Sequence, residues 1–293
     1  MTIAVQRLID ALSVGSTYAL LALGLTLVYS VMNLVNFAYG MMLVWTASIA
    51  VLLTRLNVPV AAVIVLSIAF TTILSVVIGA TAFRPFLTAA PVILLITSFG
   101  VELITQYGAI LVFGEQPRIL QVPQFFNAVT HFGDLRIPNI EMVTIVTSIV
   151  VMGSVYLLLR RTQFGVEIRA TAEKPGIATL MGMNPNRVLF VVFAISGIVA
   201  GIVGLLWFAK VGAVSPRSDL DPTFKAFVAI VLGGLGNIRG AVVGGLTLGA
   251  IEVFLSAVLP DVVLGYVDAI VFSCVIGILI LRPGGLLGTV TDR

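Results

Sequence analysis

Charge is scarce in this chain. Aspartate, glutamate, lysine and arginine make up only 10% of its 293 residues, against about 25% in a soluble domain. So little charge cannot coat a surface that meets water on every side. Cysteine is rarer: Cys274 stands alone in an apolar run, which excludes an intrachain disulfide and argues against a cysteine metal site. Histidine is also single, with His131 set in a polar interval, so neither a Ser/His/Asp set nor an HExxH pattern can be assembled. The glycine clusters follow no strand and contain no GxxxxGKS/T cradle for phosphates. An intramembrane protease would need a Ser–His pair or paired membrane aspartates in distinct motifs, and neither is present. Catalysis is therefore disfavoured, and no metal or cofactor site is expected. Low-complexity segments are missing. So is a clear signal peptide: Arg7 and Asp10 flank a full-length apolar stretch with no convincing cleavage site.

What the chain has is apolar length. Hydrophobic residues make up 59% and mean hydropathy is +1.17. A helix needs roughly 20 apolar residues to cross a bilayer, and several runs reach that. The runs are continuous instead of alternating, which disfavours a β-barrel. The expected fold is an all-α, polytopic membrane domain over residues 1–293, with about eight transmembrane helices plus short broken or re-entrant segments. The runs are residues 8–31, 41–54, 60–80, 92–113, 141–159, 188–208, 241–259 and 262–281. The stretch 224–235 is too short to span alone at ~1.5 Å per residue.

The polar intervals set the topology. Residues 160–187 carry five of the sixteen basic residues, Arg160, Arg161, Arg169, Lys174 and Arg187, against Glu167 and Glu173. A positive loop of this kind stays in the cytoplasm. Arg282 and Arg293 place the C-terminus on the same side, and this distribution suits retention better than a nucleic-acid surface. The near-balanced interval 114–139 is placed outside, and residues 210–225, with Lys210, Asp219, Asp221 and Lys225, read as a second outer loop. The side of the N-terminus is left open.

Two breaks stand out. Met32–Gly40, MNLVNFAYG, is either a broken helix lining a cavity or a plain polar turn. Asn36–Gly40 and Asn237–Gly240 share asparagine, an apolar residue and a closing glycine, each beside a probable break. Corresponding interruptions in two halves mark substrate routes in transporters with internal repeats. Glu102, Glu252 and Asp268 lie within apolar runs, and a charge at a helix centre costs at least ~2.5 kcal/mol. Each is a relay group or, the preferred reading, a structural carboxyl bonded to neighbours. No lysine is read as lying deep in a run.

Within 160–187, GVEIRATAEKPGIATLMG reads as two short helices. Pro175 disfavours helix at Lys174 and can open the next one; Gly182 suits a C-cap. Ala170, Ala172 and Ala178 leave a low surface ringed by Glu167, Arg169 and Glu173. That face suits docking of a partner protein or is an ordinary amphipathic loop.

The run Gly165–Ala172 (GVEIRATA), Gly182, and Ala194–Gly204 (AISGIVAGIVG) resemble the permeases of bacterial branched-chain amino acid ABC importers, of the Liv type. Gly15–Gly40, Lys225–Gly245 and the closing Arg282–Gly288 are similar to that family as well, so the resemblance covers nearly the whole chain. It implies a subunit of a multi-pass bacterial inner-membrane importer, paired with a sister permease. Two ATPase subunits, which bind the ATP, and an extracytoplasmic binding protein complete it. It assigns Glu167, Arg169, Ala170, Ala172, Glu173 and Gly182 to ATPase coupling. A leucine-like substrate would need an apolar route with brief polar contacts, for which Asn33, Asn36 and Asn237 are the candidates. The alternatives are a permease for urea or short amides in the same group, a stand-alone secondary carrier using Glu102, Glu252 or Asp268, and a non-transporting scaffold.

Overall fold

The first apolar run folds as one helix, α1 (Thr2–Met32), and the rest of the molecule wraps around it. In the computed structural model, which describes residues 2–87, 89–132, 135–173, 175–282 and 284–287, every residue from 15 to 28 is buried. A helix that is apolar on all sides belongs inside a larger assembly of helices. After a break come α2 (Tyr39–Arg55) and α3 (Val60–Ile78), the latter continued by a π-turn and a 3₁₀ turn to Phe86. Then follow α4 (Pro91–Phe113), strand β1 (Arg118–Ile119), the short α5 (Gln124–Asn127), and the hairpin β2 (Val129–Phe132)–β3 (Leu135–Pro138). The chain continues through α6 (Asn139–Arg161), α7 (Gln163–Glu173), α8 (Pro175–Leu180) and α9 (Pro185–Val211). Strand β4 (Ala213–Val214), α10 (Leu220–Gly233), α11 (Ile238–Val258), a 3₁₀ turn and α12 (Val267–Leu281) complete it.

Among the described residues, seven helices are long and apolar enough to cross a membrane, and α2 is a shorter apolar helix. The chain is thus a multi-pass, nearly all-helical membrane protein. Spanning segments differ in how deeply they are packed: 83% of the apolar window of α1 is buried and 67% of that of α9, but only 17% of that of the last span. So α1 and α9 form the interior, while α3, α4, α6, α11 and α12 turn apolar side chains outward.

In lipid, close packing must replace the missing hydrophobic drive between helices. Helices α1 and α11 achieve this with small residues. Gly249 lies on the backbone of Gly15 and Gly245 on that of Ala19, with no room for a Cβ at either glycine. The pairing of 15 with 249 and 19 with 245 makes the two helices antiparallel.

Strand β1 pairs antiparallel with β4, and Arg217 forms an ion pair with Glu115 at the same surface. The backbone N–H of Arg136, in β3, donates to Gln6 at 3.3 Å. The start of α1 therefore lies beside the 114–139 interval, a side the sequence left open.

One expectation is corrected. Residues 210–225 are not a loop throughout. Lys210 closes α9 and donates to Ser13 of α1 at 2.7 Å, and Lys225 lies inside α10. The charges read as loop because their partners sit far away in sequence. The basic residues Lys174 and Arg293 lie outside the described residues, as do Pro283 and Gly288 of the closing motif.

Candidate functional site

The break after α1 is a fold-back. Asn33 adopts φ +51, in the left-handed region that asparagine tolerates. The chain then returns until the Tyr39 side chain packs against Gly24, eight residues before the end of α1, roughly 12 Å along its axis. Asn36 is fully buried, and its side-chain carbonyl accepts the N–H of Ala38 at 3.2 Å. The next amide, Phe37 N–H, donates to Ser98 Oγ at 2.7 Å. The middle of α4 thereby holds the break.

The start of α10 reaches the same place. Asp219, fully buried just before α10, accepts from Gln106 of α4 at 3.4 Å, and its carboxyl meets that of Glu102. Gly40 in the first turn of α2 lies directly on Asp219 and Thr223. From this shared origin the two helices diverge. The far end of α2 packs near β1 and β4. The far end of α10 meets the closing segment, where Leu286 N–H donates to the Leu232 carbonyl at 2.8 Å. At 14 residues α10 reaches only ~21 Å, short of the ~30 Å hydrocarbon core. Two helix N-termini, each carrying a partial positive charge, thus meet inside the bundle. Phe37 stacks on Phe99 at 4.5 Å and leans towards Phe227 at 6.3 Å, giving the junction an aromatic wall on which Phe99 is 45% exposed.

Next to this junction is a buried cation that sequence reasoning missed. Lys225 Nζ lies 2.8 Å from Glu252 and 2.8 Å from Asp268, and Tyr18 O–H donates to the same Glu252 oxygen at 2.8 Å. The ammonium also lies 5.3 Å from the Tyr18 ring centroid. Glu252 and Asp268 are therefore bonded to neighbours, tying α10 to α11, α12 and α1. Glu102 faces the Asp219 carboxyl. The available signal was the four-residue spacing of Asp221 and Lys225, which places both on one helix face.

Asn36 and Asn237 are not brought together. Asn237 caps α11, its side-chain oxygen accepting from Arg239 at 3.0 Å and Gly240 at 3.1 Å, while its amide donates to Leu287 at 2.9 Å. Asn184 caps α9 in the same way through Asn186, at 3.0 Å. Both asparagines of the sequence echo accept an amide two residues on, but only Asn237 is the cap of its helix.

The second site is the α7–α8 hairpin. Helix α7 folds back on the end of α6: Gly165 leaves no room for a Cβ against Leu159, whose carbonyl accepts from Arg169. Helix α7 also packs against α1 and α9. Ala170 and Ala172 are half-buried, Glu173 is exposed, and Ala178 is buried instead of lying on the surface. Gly182 ends the hairpin at φ +84, with Met183 N–H donating to the Ala178 carbonyl at 3.1 Å. Glu167 lines a groove of about 430 Å³ with Gln163, Val166, Met181, Gly182 and Arg187. The sequence reading did not single out Leu180 and Met181, which stand 87% and 75% exposed at the end of α8.

Known proteins give these features a context. The profile of the branched-chain amino acid transport system permease component family matches residues 7–281. The chain is similar to the high-affinity branched-chain amino acid transport system permease protein BraD of Pseudomonas aeruginosa, with 32% identity over 97% of this chain and 95% of that one. It is 30% identical to the corresponding permease LivH of Escherichia coli, over the same shares. The ribose import permease RbsC of Escherichia coli is more distant, at 25% identity over 84% of this chain and 76% of that one.

Proposed function

The chain belongs to the family of branched-chain amino acid transport permease components, and on that premise we propose that it is the membrane-spanning subunit of an ATP-driven importer of branched-chain amino acids. It works in the bacterial inner membrane beside a sister permease. Two ATPase subunits bind ATP and engage α7–α8, and an extracytoplasmic binding protein delivers substrate at the β1–β4 end.

The observation that carries this reading is the α7–α8 hairpin. The end of α8 presents two large apolar side chains, Leu180 and Met181, next to the Glu167 groove. Helix α7 is seated on α1, α6 and α9. Exposed apolar side chains beside a groove are what a partner surface requires. The seating gives a displacement of the hairpin a direct path into the buried helices. Glu167, Arg169, Ala170, Ala172, Glu173 and Gly182 form the coupling surface.

The route is proposed at the junction of α2 and α10. These half-helices touch through their first turns and run to opposite ends, so a shift between them opens or closes a path without breaking a spanning helix. The wall of Phe37, Phe99 and Phe227 suits a branched aliphatic side chain. The two helix N-termini suit its carboxylate, and Asn33 and Asn36 lie at the same break for polar contacts.

The test is uptake into proteoliposomes holding this chain, the sister permease, both ATPases and the binding protein. Leucine, isoleucine or valine uptake is expected. Uptake of urea or short amides alone would move the chain to another substrate class. The contact between the Glu102 and Asp219 carboxyls favours one other reading, a secondary carrier that moves protons. Uptake in the absence of any ATPase would establish that reading instead.

A further inference from the structure

Two guanidinium groups converge on one hydroxyl at the α7 end of α6. Arg160 Nη1 lies 2.6 Å from the Tyr156 oxygen, and Arg239 Nη2, from the first turn of α11, lies 3.4 Å from it. Each guanidinium carbon also stands 5.8 Å from the centre of the Tyr156 ring. Among the described residues no carboxylate lies within 4 Å of either arginine. Two cations drawn to one side chain repel one another, and the N-terminus of α11 adds partial positive charge beside them. Both arginines and Tyr156 are exposed, so an anion can reach them. The Tyr156 hydroxyl accepts from both arginines and keeps its own proton to donate.

The surface leading away from this cluster is apolar. Along α6, Leu157, Val150, Ile149 and Val146 are all more than half exposed, and Gly153 between them has open space where a side chain would stand. Residues 149, 153, 156 and 160 follow one another at spacings of three and four, so they share one helix face. The stripe from 146 to 157 runs for roughly 16 Å.

We infer that Arg160, Arg239 and Tyr156 bind the phosphate of an anionic phospholipid whose acyl chains lie along the α6 stripe. A guanidinium fork fits phosphate oxygens in pairs. A tyrosine near a helix end marks headgroup depth, and basic groups between helices on the cytoplasmic side recognise anionic headgroups. A soluble phosphate would satisfy the arginines but has no use for the stripe.

Native mass spectrometry of the full-length chain in detergent tests this, comparing wild type with the Arg160→Gln/Arg239→Gln double variant. The probes are phosphatidylglycerol, phosphatidylcholine and inorganic phosphate. Wild type is expected to bind phosphatidylglycerol at least tenfold more tightly than phosphatidylcholine, and the double variant to lose that preference. Should the double variant not fold, Tyr156→Phe decides, with an expected severalfold weakening for phosphatidylglycerol alone. An unchanged preference in whichever variant folds overturns the assignment. So does inorganic phosphate binding as tightly as the lipid, which would make this a soluble-anion site.

Discussion

Gly40 and Asp219 bring the start of α2 against the start of α10. Gly40 sits in the first turn of α2, and its α-carbon rests on the Asp219 carbonyl and Thr223 hydroxyl at the start of α10, with no space for a Cβ. The two residues are 179 positions apart.

Gly40→Val should wedge α2 away from α10. Overpacking of a tight contact costs about 1–3 kcal/mol. The expected result is a lower thermal unfolding temperature, with transport lost out of proportion to it. A variant that transports at the wild-type rate would show that this contact is not part of the moving junction.

Lys225→Met should leave Glu252 with Tyr18 but no cation. Removing one partner of a buried ion pair costs about 3–5 kcal/mol. The Asp268 side chain is 60% exposed and that of Glu252 only 20%, so most of the loss falls on Glu252. Adding Glu252→Gln to Lys225→Met should restore much of the stability, read as unfolding temperature and yield of monodisperse protein. No recovery in the double variant would mean that the lysine acts in some other way.

Gly249→Val should prevent α11 from seating on α1, because its Cβ would overlap the backbone of Gly15. A loss of about 1–3 kcal/mol or more is expected, seen as aggregation on size-exclusion chromatography. Gly277→Ala is the control. It has open space around it and should be neutral or stabilising by roughly 0.5–1 kcal/mol.

Leu180→Asp should spare the fold, since the side chain touches little, and a surface change of this kind stays within about 0.5 kcal/mol. It should reduce ATP-driven uptake at least tenfold and weaken co-purification of the ATPases. Full uptake with intact co-purification would remove the end of α8 from the coupling surface.

Much of this was legible in the residues. Continuous apolar runs show where spans lie, since the bilayer demands a length that few soluble helices reach. Pro175 and Gly182 mark the corner and the end of α7–α8 because each acts on its own backbone. What stayed hidden depends on distant partners. Lys225 and Asp219 look like loop residues until Glu252, Asp268 and Glu102 arrive from α11, α12 and α4. The Asn237 cap depends on the local backbone, an asparagine directly before the first turn of α11. Leu180 and Met181 look like core residues, and only the folded hairpin shows them exposed.

The central claim is that force enters at α7–α8 from a nucleotide-hydrolysing partner. The most direct measurement is leucine accumulation in proteoliposomes carrying the assembled permease pair and binding protein, with and without the ATPase subunits and ATP. Accumulation against a gradient only when both are present, abolished by Leu180→Asp, is the predicted result. Accumulation driven by a proton gradient without any ATPase would contradict it.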